Sequence, residues 1–162
     1  MRDKQFERLY AEHAAPLLAF LDYRTGDRAL AEDLLADTFE RALKSRRRFD
    51  PRRGSEKAWL YTIALNLLRD HTRRAAAGER ALEQVAAGRR GEPTSGGVAP
   101  IEERDAVRRA LEVLSNEERE SIALRYGAGL SLPEIATVTS QKLSTIEGRV
   151  ARAMRKLREQ LQ

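Results

Sequence analysis

The segment spanning residues 131–161 constrains the fold more than any other part of this sequence. Ser131 and Glu134 have the spacing of a capping box, in which both side chains satisfy free backbone N–H groups at the start of a helix. That helix carries apolar Ile135 and is predicted to end near Thr139. A second capping-box spacing follows soon afterwards, so the segment predicts two helices joined by a tight turn.

The second helix of this pair is amphipathic and basic. Ser144 and Glu147 have the capping-box spacing that predicts its start. Apolar residues recur at steps of three or four and form one predicted buried stripe, namely Ile146, Val150, Met154, Leu157 and Leu161. The remaining faces carry the cations Arg149, Arg152, Arg155, Lys156 and Arg158. A short helix, a tight turn and a basic second helix are typical of helix-turn-helix DNA binding.

Charge placement helps to weigh this interpretation, because a basic amphipathic helix alone is more often a solvated surface than a DNA reader. The formal net charge of the chain is +5. Residues 101–141 carry 5 Lys+Arg against 8 Asp+Glu, whereas residues 142–162 carry 6 against 2. The cations therefore gather on the predicted second helix, which favours a surface that faces phosphate.

Composition favours an all-α protein and excludes several classes of site. Aromatic residues make up only 6% of the chain, and continuous β-branched runs are missing. There is no cysteine, which excludes disulfides, thiolate metal sites and cysteine nucleophiles. The N-terminus is charged, and no apolar run is long enough to cross a bilayer. We expect a cytoplasmic protein without membrane insertion.

Glycine and proline divide the chain into two parts. Residues 78–100 hold five of the ten glycines and two of the five prolines, which predicts a flexible linker. The predicted domains are residues 1–77 and residues 101–162. We expect two small helical domains joined by this linker, the C-terminal one a four-helix domain that contains the helix-turn-helix.

Three helices are predicted in the N-terminal domain. The first ends at Thr25 and Gly26, and the second begins at Asp27 and has an acidic outer face. Ser55 can cap the third, which is predicted to run to about Arg74. Its predicted apolar stripe consists of Trp59, Ile63 and Leu67. In the C-terminal domain, Ser115 and Glu118 form a further capping-box spacing.

Five blocks of sequence carry a resemblance to a known family. In order along the chain they are AEDLLADTFERAL, WLYTIALNLLRDHTRR, LSNEERESIALRY, GLSLPEIA and STIEGRVARAMRKLRE. In this order, and split by a variable linker, they resemble the extracytoplasmic-function sigma factors, a small two-domain class in the sigma-70 family of bacterial RNA polymerase subunits. The resemblance covers nearly everything outside the linker.

The resemblance implies a role for each domain. The acidic second helix resembles the surface that binds core RNA polymerase, which implies contacts from Asp33, Leu34, Asp37, Thr38 and Phe39, although Phe39 also suits a core position. Asn66 matches a family asparagine at the pocket for a flipped base of the minus-10 element. The implied contacts to nearby phosphates come from Arg46, Arg47, Arg48, Arg52, Arg53, Arg69, Arg73 and Arg74. We assign Trp59 to the core and not to base stacking.

The basic helix resembles the family's reader of the duplex minus-35 element. Arg149 and Arg152 match positions that contact bases or phosphates, and Thr145 at the helix start can reach backbone or base. Arg155 and Lys156 are expected to contact phosphate. These assignments belong to the resemblance.

Three residues depart from the family pattern in this region. Glu147 stands where the family usually has Lys or Arg, and it either accepts from cytosine or completes the cap with Ser144, which we favour. Ser140 and Gln141 replace the glycine and the apolar residue that are common in the turn, so the sequence leaves the geometry of the turn open.

The resemblance therefore predicts a subunit that binds the bacterial RNA polymerase core and directs it to promoter DNA, without a cofactor or a metal. The family is commonly held inactive by an anti-sigma protein, which implies such a partner here. The alternative is a stand-alone helix-turn-helix regulator, which leaves the N-terminal domain unexplained. An enzyme is disfavoured, since His13 and His71 lack metal-ligand spacing and no phosphate-binding loop motif is present. A helical RNA-binding protein would share the charge but not the helix-turn-helix spacing.

Overall fold

The computed structural model describes residues 1–82 and 101–162, and the chain divides into two compact units, Met1–Thr94 and Ser95–Gln162. Within the described residues every regular element is helical and no strand occurs. The expected all-α architecture with two domains is therefore confirmed. The predicted linker beyond Leu82 lies outside the described residues.

In the N-terminal unit, the described residues form three α-helices and one short 3-10 helix, Arg46–Arg48. The α-helices are α1 Asp3–Thr25, α2 Arg28–Lys44 and α3 Glu56–Leu82. Gly26 ends α1 in the left-handed conformation, with φ of 67°, and its N–H donates to the Asp22 carbonyl at 2.9 Å. Asp27 caps α2, because its Oδ1 accepts from the Leu30 N–H at 3.2 Å. Both predicted boundaries are confirmed, whereas α3 continues beyond its predicted end at Arg74.

The core of this unit lies where the three helices meet. Its buried apolar side chains from α1 and α2 are Leu9, Leu17, Phe20, Leu21, Ala31, Leu34, Phe39 and Ala42. Those from α3 are Ala58, Leu60, Tyr61, Ala64, Leu65 and Leu68. The predicted stripe of Trp59, Ile63 and Leu67 was wrong, since these residues are only half-buried. Apolar residues surround much of α3, so periodicity alone does not choose its buried face.

The C-terminal unit contains four helices, as expected. They are α4 Ile101–Glu112, α5 Asn116–Ile122, α6 Leu132–Thr139 and α7 Leu143–Leu161. A π-helical turn over Ala123–Gly127 extends α5. The capping boxes that open α5 and α6 are both confirmed: in each, the glutamate N–H donates to the serine Oγ at 3.2 Å, and the serine N–H donates to the glutamate Oε1 at 2.9 Å.

The start of α7 and the burial of its last residue differ from the prediction. The residue before the helix is Lys142, which makes no side-chain cap, and the predicted capping box of Ser144 and Glu147 is absent. Ser144 already lies inside the helix, whereas a capping residue needs an extended backbone. At the other end Leu161 is 55% exposed, because α7 continues past its buried stripe. Among the described residues, no helix is both long enough and apolar enough to span a membrane.

Candidate functional site

The turn between α6 and α7 depends on an unusual serine. Ser140 has φ of 57° and is the one residue other than glycine with positive φ in the described part of the chain. Its N–H donates to the Thr137 carbonyl at 3.2 Å, and the next N–H, of Gln141, donates to the Ala136 carbonyl at 2.9 Å. This is the hydrogen-bond pattern of a Schellman motif, which glycine usually completes. The sequence left the geometry of this turn open, and in the structure serine adopts the conformation that glycine usually has.

The face of α7 opposite its buried side presents polar and cationic groups. Ile146 and Val150 anchor the helix in the unit, while Thr145, Arg152 and Arg155 are exposed. Thr145, Arg149 and Arg152 follow one another at steps of four and three, so they share one face of the helix.

Arg149 is half-buried and is held by the preceding turn. Its Nη1 donates to Oε1 of Gln141 at 2.5 Å. Glu147, whose capping role was predicted, is exposed instead. The sequence reasoning missed the part played by Gln141, although its departure from the family pattern was a signal.

Lys156, which was expected to contact phosphate, forms an intramolecular ion pair with Glu118. Its Nζ donates to Oε1 of Glu118 at 2.8 Å, and the Glu118 side chain is 7% exposed. Burial opposes ionisation of Glu118, yet the hydrogen bonds from Lys156 and Ser115 outweigh it and hold the pKa of this carboxyl below its usual range. The structure thus gives Lys156 a role in joining α7 to α5.

The outer face of α2 is acidic, as predicted. Glu32 and Glu40 lie on it and pair with Arg28 and Lys44 one helical turn away, at 3.3 and 2.8 Å. Asp33 and Asp37 are also exposed, and neither forms a salt bridge within the described residues. These two carboxylates are therefore available to a partner.

Three residues predicted on the same surface lie inside the unit. Leu34 and Phe39 are 5% and 6% exposed, and Thr38 is fully buried. The Thr38 Oγ1 donates to the Leu34 carbonyl at 2.6 Å, and the Phe39 ring meets the Tyr10 ring edge-on at 4.8 Å between centroids. A partner that docks on α2 reaches Asp33 and Asp37 first, because the other three side chains face the core.

The loop before α3 contributes an aromatic contact and several arginines. Phe49 of this loop packs against Trp59 of α3, with ring centroids 5.3 Å apart. Trp59 is half-buried, so the expected core position is only partly met. Asn66 lies two turns further along the same face of α3 and is exposed. The face is opposite Tyr61 and its neighbours in the core.

The predicted phosphate-contacting arginines differ in how they are held. Arg46 is half-buried and pairs with Asp3 at 3.4 Å, and Arg52 pairs with Asp50 at 3.2 Å. Arg73 pairs with Asp70, and Arg69 is half-buried and also engaged. The remaining arginines of the set are exposed, namely Arg47, Arg48, Arg53 and Arg74. Within the described residues, no cluster of three or more His, Asp or Glu side chains suits a metal ion.

Comparisons with known proteins place both units in one family. The family model for Sigma-70 region 2 matches residues 9–78, and that for Sigma-70, region 4 matches residues 104–157. RNA polymerase sigma factor CarQ of Myxococcus xanthus is 35% identical over 161 residues, which cover 96% of this chain and 88% of CarQ. ECF RNA polymerase sigma factor SigL of Mycobacterium tuberculosis is 33% identical over 154 residues, with 95% and 87% covered.

Solved structures show the same similarity. The sigma factor RpoE from Bartonella quintana, solved in complex with the anti-sigma factor NepR, has 28% identity and a TM-score of 0.77, with 98% of this chain and 97% of that chain covered. CnrH, solved in complex with the cytosolic domain of CnrY, has 30% identity and a TM-score of 0.67, with 99% and 89% covered. The chain therefore belongs to the extracytoplasmic-function sigma factors of the sigma-70 family, the subunits that direct RNA polymerase to promoters.

Proposed function

We propose that the two units divide promoter recognition between them. Residues 1–77 bind core polymerase and read the minus-10 element, and residues 101–162 read the minus-35 element. Residues 78–100 connect the two. The observation that carries this proposal is the structure of α7, which buries one side in its own unit and presents Thr145, Arg149 and Arg152 on another.

The α7 surface suits duplex DNA for chemical reasons. A recognition helix lies in the major groove, where an arginine fork can donate two hydrogen bonds to guanine. Arg149 and Arg152 are the residues we assign to base edges, and Thr145 and Arg155 are assigned to base or phosphate. Lys156 pairs with Glu118, so it must give up this intramolecular partner to contact phosphate.

In the N-terminal unit, we assign polymerase binding to Asp33 and Asp37. Carboxylates on a solvated helix face repel DNA and attract a basic protein surface. The burial of Leu34, Thr38 and Phe39 limits these residues to supporting the helix that carries the two aspartates.

Recognition of the minus-10 element is assigned to Asn66 and the arginines around it. The side-chain amide of Asn66 is exposed and can donate to and accept from the edge of an unpaired base. Arg47, Arg48, Arg53 and Arg74 are exposed cations that suit the backbone of a melted strand. Four other arginines already have an intramolecular partner and must exchange it for phosphate, namely Arg46, Arg52, Arg69 and Arg73.

An anti-sigma protein is the second partner that we propose. Of the structural relatives described above, RpoE was solved with the anti-sigma factor NepR, and CnrH was solved with the cytosolic domain of CnrY. We place the protein in the bacterial cytoplasm, associated with the nucleoid through RNA polymerase. In this assignment the chain supplies specificity, and the chemistry of RNA synthesis belongs to the polymerase.

A pulldown with purified bacterial core polymerase, followed by transcription from a genomic fragment library, tests the proposal. We expect binding to core and new start sites that share two upstream elements. Arg149→Ala should weaken initiation that depends on the minus-35 element, whereas Asp37→Asn should weaken core binding on any DNA. If the protein shifts duplex DNA alone and never binds active core, it is a stand-alone regulator. Equal loss of core binding by both folded variants would refute the division of roles.

A further inference from the structure

Gln141 connects the turn of the helix-turn-helix to its second helix. Its backbone N–H is bound to the Ala136 carbonyl at 2.9 Å, as part of the turn that Ser140 completes. Its side-chain Oε1 accepts from Nη1 of Arg149 at 2.5 Å, across eight positions of sequence. The main chain of Gln141 is thus fixed in the turn, and Arg149 reaches back to its side-chain oxygen.

This hydrogen bond restricts a side chain that is otherwise free to move. An arginine side chain has considerable rotamer entropy, part of which it loses when it binds a base in one geometry. The guanidinium is planar, so holding one of its nitrogens against Gln141 limits the directions that its other N–H groups can take. Within the described residues no second acceptor binds the Arg149 guanidinium, which leaves its other donors for a ligand.

The hydrogen bond contributes little to the stability of the unit. Gln141 is exposed and Arg149 is half-buried, and water competes for polar contacts at such positions. Arg152, on the same face of α7, has no corresponding partner in the described part of the chain. The contact therefore orients Arg149 and leaves Arg152 unrestrained, and it adds little to the stability of the unit.

We propose that Gln141 is a positioning residue that orients Arg149 toward one base pair of the minus-35 element and so sets the strength of its guanine preference there. The inference rests on the proposed function, because it requires α7 to lie in the major groove. The preference therefore depends on an acceptor that the turn of this chain supplies.

The test uses the holoenzyme and a duplex promoter library randomised across the upstream element. Wild type, Gln141→Ala, Gln141→Glu and Arg149→Ala are each put through one round of selection and sequencing. We expect wild type to enrich guanine at one position and Arg149→Ala to lose that enrichment. Gln141→Ala should reduce the guanine enrichment by about 5- to 10-fold. This is part of the total discrimination that a bidentate arginine supplies. Gln141→Glu keeps the acceptor, so it should bind more weakly overall yet keep the preference.

Each of the following results shows whether Gln141 positions Arg149. If Gln141→Ala keeps the full preference while Arg149→Ala loses it, the positioning role is overturned and the proposed function stands. If Gln141→Ala weakens binding to all sequences equally and keeps the guanine preference, its role is structural and the inference is overturned. If Arg149→Ala selects the wild-type sequences, α7 does not read this element through Arg149, and the proposed assignment fails together with the inference.

Discussion

Lys156 near the end of α7 donates a hydrogen bond at 2.8 Å to Glu118 at the start of α5, 38 positions earlier in the chain. The same Glu118 Oε1 accepts from the Ser115 N–H and completes the capping box of α5. One buried carboxylate therefore serves both the start of one helix and the packing of another. Cations on α7 that seem equivalent in the sequence consequently have different roles.

Removing the Lys156 ammonium should lower the stability of the C-terminal unit more than it affects DNA selectivity. Lys156→Met leaves a carboxylate that is 7% exposed without its cation, which should cost about 1–3 kcal/mol. Arg155→Met, at a neighbouring exposed position, should change the free energy of unfolding by less than about 0.5 kcal/mol. Urea unfolding of the two variants checks this, and equal stability would contradict it.

Acid should weaken the same contact. The folded pKa of Glu118 lies below its ordinary value of 4.5, so the folded state binds this proton less readily than the unfolded state. Its stabilising contribution is complete above about pH 4.5 and is lost as the pH falls through the lower folded value. Glu118→Gln should be less stable than wild type at pH 7, and the difference should shrink toward pH 3. Thermal unfolding across this range measures it, and a constant difference would speak against the ion pair.

Replacing Ser140 with glycine should stabilise the C-terminal unit. A non-glycine residue in the left-handed region costs about 1 kcal/mol, and glycine avoids this cost while it keeps the turn hydrogen bonds. We expect Ser140→Gly to raise the free energy of unfolding by about 0.5–1 kcal/mol. Ser144→Gly, inside α7, is the control and should lower it by about 0.5 kcal/mol. A loss of stability in Ser140→Gly would show that the serine makes a compensating contact.

The hydroxyl of Tyr61 should be dispensable for stability. Tyr61 is fully buried, and its hydroxyl has no hydrogen-bond partner within the described residues. Burial raises its pKa to about 12. Because a buried polar group without a partner keeps its desolvation cost, Tyr61→Phe should be neutral or should stabilise the N-terminal unit by up to about 1 kcal/mol. Tyr126→Phe, at a 60% exposed position, is the matched control and should leave stability unchanged. A melting temperature well below wild type in Tyr61→Phe would indicate a bound water or another partner.

Substitutions at Asp37 and Phe39 should affect polymerase binding and folding stability separately. Phe39→Ala removes a buried ring that contacts Tyr10 and should destabilise the N-terminal unit by about 3–5 kcal/mol. Asp37→Asn changes only an exposed charge and should leave stability within about 0.5 kcal/mol while it weakens polymerase binding. Circular dichroism melting and a core-polymerase titration give the two readings. Normal polymerase binding by folded Asp37→Asn would remove this residue from the surface.

Local sequence signals predicted much of the fold. The boxes at Ser115 and Ser131, the cap at Asp27 and the stop at Gly26 are all found in the structure. Each depends on residues within one helical turn, so nearby spacing contains the information. The same spacing at Ser144 failed, because the turn before α7 had already placed that residue inside the helix.

The sequence by itself determined the all-α architecture, the two units, the acidic face of α2 and the basic character of α7, because periodicity and charge order are local properties of the chain. Only the tertiary structure decided which face of α3 is buried, that Lys156 binds Glu118, and that Gln141 holds Arg149. These contacts depend on which helix packs against which. The residue type of a cation does not show whether its partner is a buried carboxylate, an amide oxygen or water. The packing of the helices determines which partner lies within reach.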